Sequence, residues 1–193
     1  MNILTIDFEA SCLPCHGRSF PIEVGIADAG ASCRAWLIRP HDGWAGWDWT
    51  SEAQSLHGLT RDRLEREGLP VERVIAELAE AVGDRPVIAD SYLDAEWLAT
   101  LAAAAGVSPP LRIGHVEEVI DRLGARDAQI AQAQALADAA AFTRHRASGD
   151  AQWLRAFITA LEAIAAIRPG MPEPPMFDWT PPRPTHPALG AAA

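Results

Sequence analysis

No segment of the 193-residue sequence approaches the roughly 20 apolar residues that a membrane-spanning helix requires, and the N-terminus has neither the basic nor the apolar region of a signal peptide. The sequence has three cysteines, which without a secretion signal fit a reducing cytoplasm. Lysine is absent, so arginine supplies all 16 basic residues; we attribute this, with the high alanine content, to genomic composition bias. We therefore expect a cytoplasmic protein that does not bind membranes.

Proline is concentrated at one end of the chain. Eight of the 15 prolines lie in residues 168–193, which have no helical periodicity, so we predict a disordered tail there. The hydrophobic content of 49% is sufficient for one core, which we assign to a single domain of residues 1–167.

The order of elements within this domain is predicted from hydrophobic periodicity and from Gly, Pro and polar breaks. The predicted strands cover residues 2–9, 20–28, 33–39, 86–89 and 111–113. The predicted helices cover residues 60–66, 70–82, 94–105, 115–123 and 126–141, and a long amphipathic helix begins near residue 150. A strand meander followed by alternating helices and strands favours an α/β fold with a mixed five-stranded sheet flanked by helices.

Two acidic residues, Asp7 and Glu9, lie at the end of the first predicted strand. Because side chains alternate along a strand, both project to the same face. Neighbouring carboxylates repel each other, and burying them is costly unless protons or a cation neutralise them. A hard divalent cation suits this role. Taken alone, however, an Asp-x-Glu pair is common, and a solvated strand end is its more frequent explanation.

Three further residues have ambiguous roles when each is considered alone. Asp94 lies at the start of a predicted helix, where an isolated Asp usually acts as an N-cap. Asp150 lies near the first turn of the long helix, and His145 precedes it. Residues five apart on a continuous helix would face different directions, so we place His145 on a mobile loop before the helix. An isolated histidine there is more often a surface residue than a base.

The order and spacing of these residues resemble the DEDDh family of 3'-5' exonucleases, which includes polymerase proofreading subunits, ribonuclease T and oligoribonuclease. The family's three motifs match Asp7-x-Glu9, Asp94 followed by Trp97-Leu98, and His145-x4-Asp150. Residues 21–27 are similar to the family's second strand, and residues 56–60 to the segment that borders the terminal nucleotide of the substrate. The resemblance covers residues 2–165 and implies a ribonuclease H-like fold.

The resemblance also implies roles for these residues. Asp7, Glu9, Asp94 and Asp150 would bind two divalent cations, with Asp7 bridging both, and His145 would accept the proton of the attacking water. Two cations neutralise four carboxylates, and at a separation of roughly 3.5–4 Å they can orient the water and stabilise the leaving 3'-oxygen. Oxygen ligands favour Mg2+, for which Mn2+ can substitute. The predicted substrate contacts are Phe8, Ala10, His57, Leu59 and Arg144.

The predicted function is therefore hydrolysis of single-stranded DNA or RNA from the 3' end, with release of nucleoside 5'-monophosphates. No motif distinguishes ribose from deoxyribose. Two alternatives remain open: a non-catalytic nucleic-acid- or protein-binding module on the same fold, and a phosphodiesterase for dinucleotides, which the acidic surface favours. Because relatives often act as dimers, a homodimer is a further expectation.

Two features depart from what a nucleic-acid partner requires. The formal net charge is -10, whereas proteins that bind nucleic acid non-specifically tend to be basic. Position 90 is Asp90 where the family commonly has Asn, and this extra acid near the cleft is expected to repel phosphate. Candidate cations for local phosphate contacts are Arg61, Arg63, Arg66, Arg144 and Arg146, although each is individually more often part of a solvated face.

One further motif points to other chemistry. The sequence from Cys12 to His16 matches the Cys-x-x-Cys-His attachment site of c-type haem, and its first four residues match a redox dithiol. Haem attachment of this kind needs an oxidising compartment. Cys12, Cys15, His16 and Cys33 also have the atom types of a zinc site, but only one pair is well spaced. We interpret Cys12, Cys15 and His16 as loop residues.

A tryptophan cluster, Trp44, Trp47 and Trp49, precedes residues 56–60. Aromatic side chains in that position can stack on bases. Packing of the loop onto the core is the simpler explanation, which we favour for at least two of the three.

Overall fold

Five strands form one mixed sheet in the computed structural model, which describes residues 2–30 and 32–167. They are β1 (Leu4–Ala10), β2 (Pro21–Ala27), β3 (Cys33–Leu37), β4 (Val87–Ala89) and β5 (Ile113–His115), in the spatial order β3-β2-β1-β4-β5. Antiparallel pairs join β3, β2 and β1, and parallel pairs join β1, β4 and β5. The predicted α/β class and mixed five-stranded sheet are confirmed. The predicted tail lies outside the described residues.

Seven α-helices accompany the sheet in the described part of the chain. They are α1 (Ser51–His57), α2 (Arg61–Glu67), α3 (Val71–Val82), α4 (Leu93–Ala104), α5 (Val116–Leu123), α6 (Asp127–Ala139) and α7 (Ala147–Ala166). Helix α1 was not predicted, because its sequence, Ser-Glu-Ala-Gln-Ser-Leu-His, has one large apolar residue and shows no hydrophobic period. Its sequence signal is the Thr50 N-cap, whose side chain accepts from the amide of Ala53. None of these helices is long and apolar enough to cross a membrane.

The alternation of β1 separates two hydrophobic clusters, one on each face of the sheet. Leu4, Ile6 and Phe8 belong to the cluster that includes α3 and α4. The opposite cluster contains Ile3 and residues of α5, α6 and α7. On that face the Thr5 hydroxyl donates to the carbonyl of Ala151 in α7 at 2.6 Å. The next two residues on this face of β1 are Asp7 and Glu9, so the packing directs both carboxylates toward the start of α7.

Helix α7 meets the sheet at Gly25 of β2, which pairs with Asp7. A Cβ atom at Gly25 would lie 2.3 Å from the backbone carbon of Ala147, so only glycine allows this approach. Two residues earlier, the buried Glu23 accepts from the amide of Ala147 at 3.1 Å and from Arg146 Nε at 2.9 Å. These contacts fix the first turn of α7, which contains Asp150, against the strand next to β1.

Candidate metal centre

Five carboxylates converge where β1 and β4 end and α4 and α7 begin. Carboxylate oxygens of Asp7, Glu9 and Asp150 all lie within 4.8 Å of one another, and so do oxygens of Asp7, Asp90 and Asp94. The structure thus brings together all four carboxylates that the sequence suggested as metal ligands. Asp7 is shared between the two groups, as a bridging ligand must be.

Asp94 is the most buried member, with 1% of its surface exposed. Strand β4 pairs with β1 only at Leu4 and Thr5, which leaves the later amides of β1 without a ladder partner on that side. The amide of Phe8 donates to Asp94 Oδ1 at 3.0 Å. Asp94 therefore holds strand β1, and the N-cap position of its own helix is occupied by Tyr92. Its Oδ2 has no hydrogen-bond partner within the described ranges.

Asp150 lies on the opposite side of Asp7 and has two partners from the preceding loop. Arg144 Nε lies 2.7 Å from Asp150 Oδ1, and the amide of His145 donates to Oδ2 at 2.6 Å. The guanidinium of Arg144 stacks over the ring of Trp153 at 4.5 Å from its centroid. His145 is exposed and directly precedes the N-cap residue Arg146, with φ at 61°, a left-handed conformation that few non-glycine residues adopt.

Burial and mutual repulsion raise the pKa values of three acids in the cluster. Burial, and then repulsion from Asp94, Glu9 and Asp150, raises the pKa of Asp7 well above its usual range. Burial, followed by repulsion from Asp150, raises the pKa of Glu9 to about 8. The pKa of Asp94 is also raised to about 8, by burial first and then by Asp90. Acids whose pKa is raised in this way hold protons at neutral pH unless a cation replaces them.

This donor set fits two divalent cations. All its ligand atoms are carboxylate oxygens, which hard cations such as Mg2+ and Mn2+ prefer. Asp7, Glu9 and Asp150 would hold one cation, and Asp7 and Asp94 the other. The buried, unpartnered oxygen of Asp94 is the strongest single indication, because buried polar atoms rarely lack a partner.

The predicted substrate contacts are differently placed. The side chains of Phe8 (4% exposed) and Leu59 (0%) belong to the core, so they offer no surface to a ligand. Ala10 and His57 are also buried. His57 Nδ1 accepts from the amide of Leu59, its Nε2 has no partner among residues 2–30 and 32–167, and burial lowers its pKa to about 4, so the ring is neutral at physiological pH. Of the five, Arg144 has an exposed side chain.

The tryptophan cluster packs against the core. Trp44 is buried and stacks on Phe20 with ring centroids 5.3 Å apart, as the packing interpretation predicts. Trp47 and Trp49 are partly buried against the same cluster. Arg61 lies over the ring of Trp49 at 4.9 Å, so this candidate cation also has an aromatic partner.

The cysteines do not assemble a zinc site. Among the described residues, the groups of three or more possible ligands consist of carboxylates alone. Cys12 follows the end of β1, whereas Cys33 begins β3 beside Ala27, which pairs with Thr5 near the start of β1. The antiparallel register therefore places Cys33 and Cys12 at opposite ends of the paired strands. Cys15 lies in a 3-10 turn, Pro14–His16, which agrees with our interpretation of a loop.

Asp90 is the member of the cluster that sequence reasoning placed only near the cleft. Its carboxylate meets those of Asp7 and Asp94 because the chain turns between β4 and α4. The available signal was its spacing, four residues before Asp94 and directly after a buried strand.

No protein-family model and no curated protein sequence matches this chain. Solved structures of exonuclease I do. The zinc-bound complex of Escherichia coli exonuclease I with single-stranded DNA aligns with a TM-score of 0.64 and 12% identity over 84% of this chain and 40% of that one. Exonuclease I from Methylocaldum szegediense aligns with a TM-score of 0.62 and 15% identity over 83% of this chain and 40% of the other. The complex of the Escherichia coli enzyme with a dA16 oligonucleotide aligns with a TM-score of 0.62 and 13% identity over 84% of this chain and 41% of that one.

These similarities establish the fold. The chain has the ribonuclease H-like α/β fold that exonuclease I contains, and it spans about two fifths of the length of those chains. The similarity is to exonuclease I and does not place the chain with ribonuclease T or with the proofreading subunits.

Proposed function

We propose that this protein is a metal-dependent 3'-5' exonuclease that acts on single-stranded nucleic acid and releases nucleoside 5'-monophosphates. The observation that supports this most directly is the pair of carboxylate groups joined at Asp7, on a fold shared with exonuclease I. Because exonuclease I structures contain single-stranded DNA, including a dA16 oligonucleotide, DNA is the first substrate to test and RNA the second.

Each residue of the site has a role in this proposal. Asp7 would be shared by two cations, Glu9 and Asp150 would complete the carboxylates that hold one, and Asp94 would hold the other. When bound, two divalent cations neutralise the carboxylates, activate water and stabilise the leaving oxygen. His145 accepts the proton of the attacking water, a task for which histidine is the side chain most often used. Its amide is bonded to Asp150, which ties the base to the cation site.

The decisive experiment is hydrolysis of 5'-labelled single-stranded DNA and RNA oligonucleotides of increasing length, from dinucleotides upward, with Mg2+ or Mn2+. We expect a ladder that shortens from the 3' end, requires the cation and disappears in the Asp7→Asn variant. Asp48→Asn, a change of the same type at an exposed residue, is the matched control and should hydrolyse normally.

Each other outcome identifies a different function. Cation binding without hydrolysis of any substrate would contradict the proposal and indicate a binding module. Hydrolysis confined to dinucleotides would indicate a phosphodiesterase for small substrates. A ladder that persists in Asp7→Asn would show that the assigned site is not the catalytic one.

A further inference from the structure

Asp90 differs from the other acids of the site because the motifs do not include it. It follows the last residue of β4, and its carboxylate oxygen lies within 4.8 Å of oxygens of both Asp7 and Asp94. The repulsion among these three carboxylates is unfavourable in the absence of a cation. An exposed Asp such as this could turn to solvent, yet it faces the partly buried Asp7 and the buried Asp94.

The backbone at this position is held in place by β5. The carbonyl of Asp90 accepts from His115 Nε2 at 3.0 Å. The ring of His115 stacks on Tyr92, with centroids 4.0 Å apart and planes 7° from parallel. The turn between β4 and α4 is thus clamped on both sides of Ser91, which keeps the side chain of Asp90 beside the cluster.

The neighbouring Asp94 provides an independent indication of a ligand. Only 1% of this residue is exposed, and its Oδ2 lacks a hydrogen-bond partner in the described part of the chain. Its carboxyl group faces both Asp7 and Asp90. A buried carboxyl group that has an unpartnered oxygen and meets two further carboxylates is an arrangement that a divalent cation satisfies.

We propose that Asp90 is a fifth carboxylate ligand, which binds the same cation as Asp7 and Asp94. This assignment rests on the proposed two-cation function. Each cation then has three carboxylates, counting the shared Asp7 twice: Asp7, Glu9 and Asp150 for one, and Asp7, Asp90 and Asp94 for the other. Five carboxylates and two divalent cations leave a formal charge of minus one instead of zero. The site therefore binds the cation shared by Asp7, Asp90 and Asp94 more tightly, and the substrate phosphate more weakly, than a site with Asn at position 90.

The test is calorimetric titration of the full chain with Mn2+, comparing wild type, Asp90→Asn and Asp84→Asn. Asp84 is an exposed acid that precedes β4, whereas Asp90 follows β4. Asp84→Asn therefore makes the same change of charge at the opposite end of the strand. We expect Asp90→Asn to weaken one of two Mn2+ sites by about tenfold or more, in the range seen when groups that support metal ligands are lost. Asp84→Asn should bind as wild type does.

Two additional measurements separate ligation from other roles. The unfolding temperature of Asp90→Asn should be higher than that of wild type in EDTA, because the substitution relieves repulsion. In Mn2+ it should be lower, because part of the stabilisation by the cation is lost. Substitution of a purely structural residue would shift the unfolding temperature in the same direction under both conditions. Hexamminecobalt(III), which keeps its ammonia ligands, responds to charge without coordination by the protein. Its affinity should fall less than that of Mn2+.

Several results would overturn the proposal. Unchanged Mn2+ binding by Asp90→Asn would do so while leaving the exonuclease function intact, and so would equal losses for Mn2+ and hexamminecobalt(III). A wild-type protein that binds no Mn2+ would overturn both proposals. A wild-type protein that binds two ions and hydrolyses nothing, with one site weakened in Asp90→Asn, would refute the exonuclease function and leave the ligand assignment standing.

Discussion

The two sides of the acidic cluster are built in different ways. On the Asp94 side, a carboxylate is fixed by burial and by the amide of Phe8, and it keeps one oxygen free. On the Asp150 side, Arg144 Nε forms an ion pair with Oδ1 at 2.7 Å, and the amide of His145 in the exposed preceding loop donates to Oδ2. The first side is preorganised for a cation, whereas on the second a cation must compete with an arginine. We therefore expect the two sites to differ in affinity, with the Asp94 site filling first.

The largest effect is expected from Asp7→Asn, which removes the ligand common to both sides. Hydrolysis should fall to the background measured in EDTA, and neither Mn2+ site should be detectable by calorimetry. Glu9→Gln and Asp94→Asn should each remove one site only. If Asp7→Asn kept one site at normal affinity, Asp7 would not be the bridging ligand.

His145→Ala should reduce kcat by roughly 100- to 10,000-fold, the usual contribution of a general base. Because alanine keeps the amide that donates to Asp150, Mn2+ binding should be unchanged. Steady-state kinetics should therefore show a reduced kcat, while calorimetry shows the Mn2+ affinity of wild type. His16→Ala, at an exposed histidine, is the control. An equal loss of cation affinity and kcat would assign His145 to holding the loop rather than to proton transfer.

Both the stability of the cation-free protein and its affinity for Mn2+ should depend on pH. The pKa values of Glu9 and Asp94 are raised to about 8 in the folded protein, so the folded chain binds more protons than the unfolded chain from about pH 4.5 to about pH 8. The cation-free protein should therefore lose stability as pH rises through that window. Mn2+ must displace these protons, so its apparent affinity should increase by up to about tenfold per pH unit for each proton released.

Calorimetry between about pH 6 and about pH 8, with thermal unfolding in EDTA over the same range, measures both effects. A cation-free protein that became more stable with rising pH would contradict the raised pKa values.

The smallest effect is expected from Arg144→Ala, which frees Asp150. Mn2+ affinity on that side should rise by up to about fivefold, since exposed ion pairs contribute at most about 1 kcal/mol. Arg66→Ala, at an exposed arginine of α2, is the control. If Mn2+ affinity instead fell in Arg144→Ala, the arginine would support the cation site rather than compete with it.

How far the sequence predicts this site differs from residue to residue. The common face of Asp7 and Glu9 follows from strand alternation, and the positions of Asp94 and Asp150 follow from predicted helix starts. The left-handed conformation of His145 could not be predicted, because few histidines adopt it and the surrounding contacts impose it. The approach of Asp90 to Asp7 depends on contacts with His115, which lies 25 residues away in the chain. The cytoplasmic location and the homodimer stay predictions.

The contact at Gly25 limits how the site can move. Helix α7 lies against the backbone of β2 with no side chain between them, so its first turn cannot tilt or slide unless the strand moves with it. The backbones that carry Glu9 and Asp150 are therefore held at a fixed separation. We therefore expect movement near Asp150 in the exposed segment before the helix, where Arg144 and His145 lie.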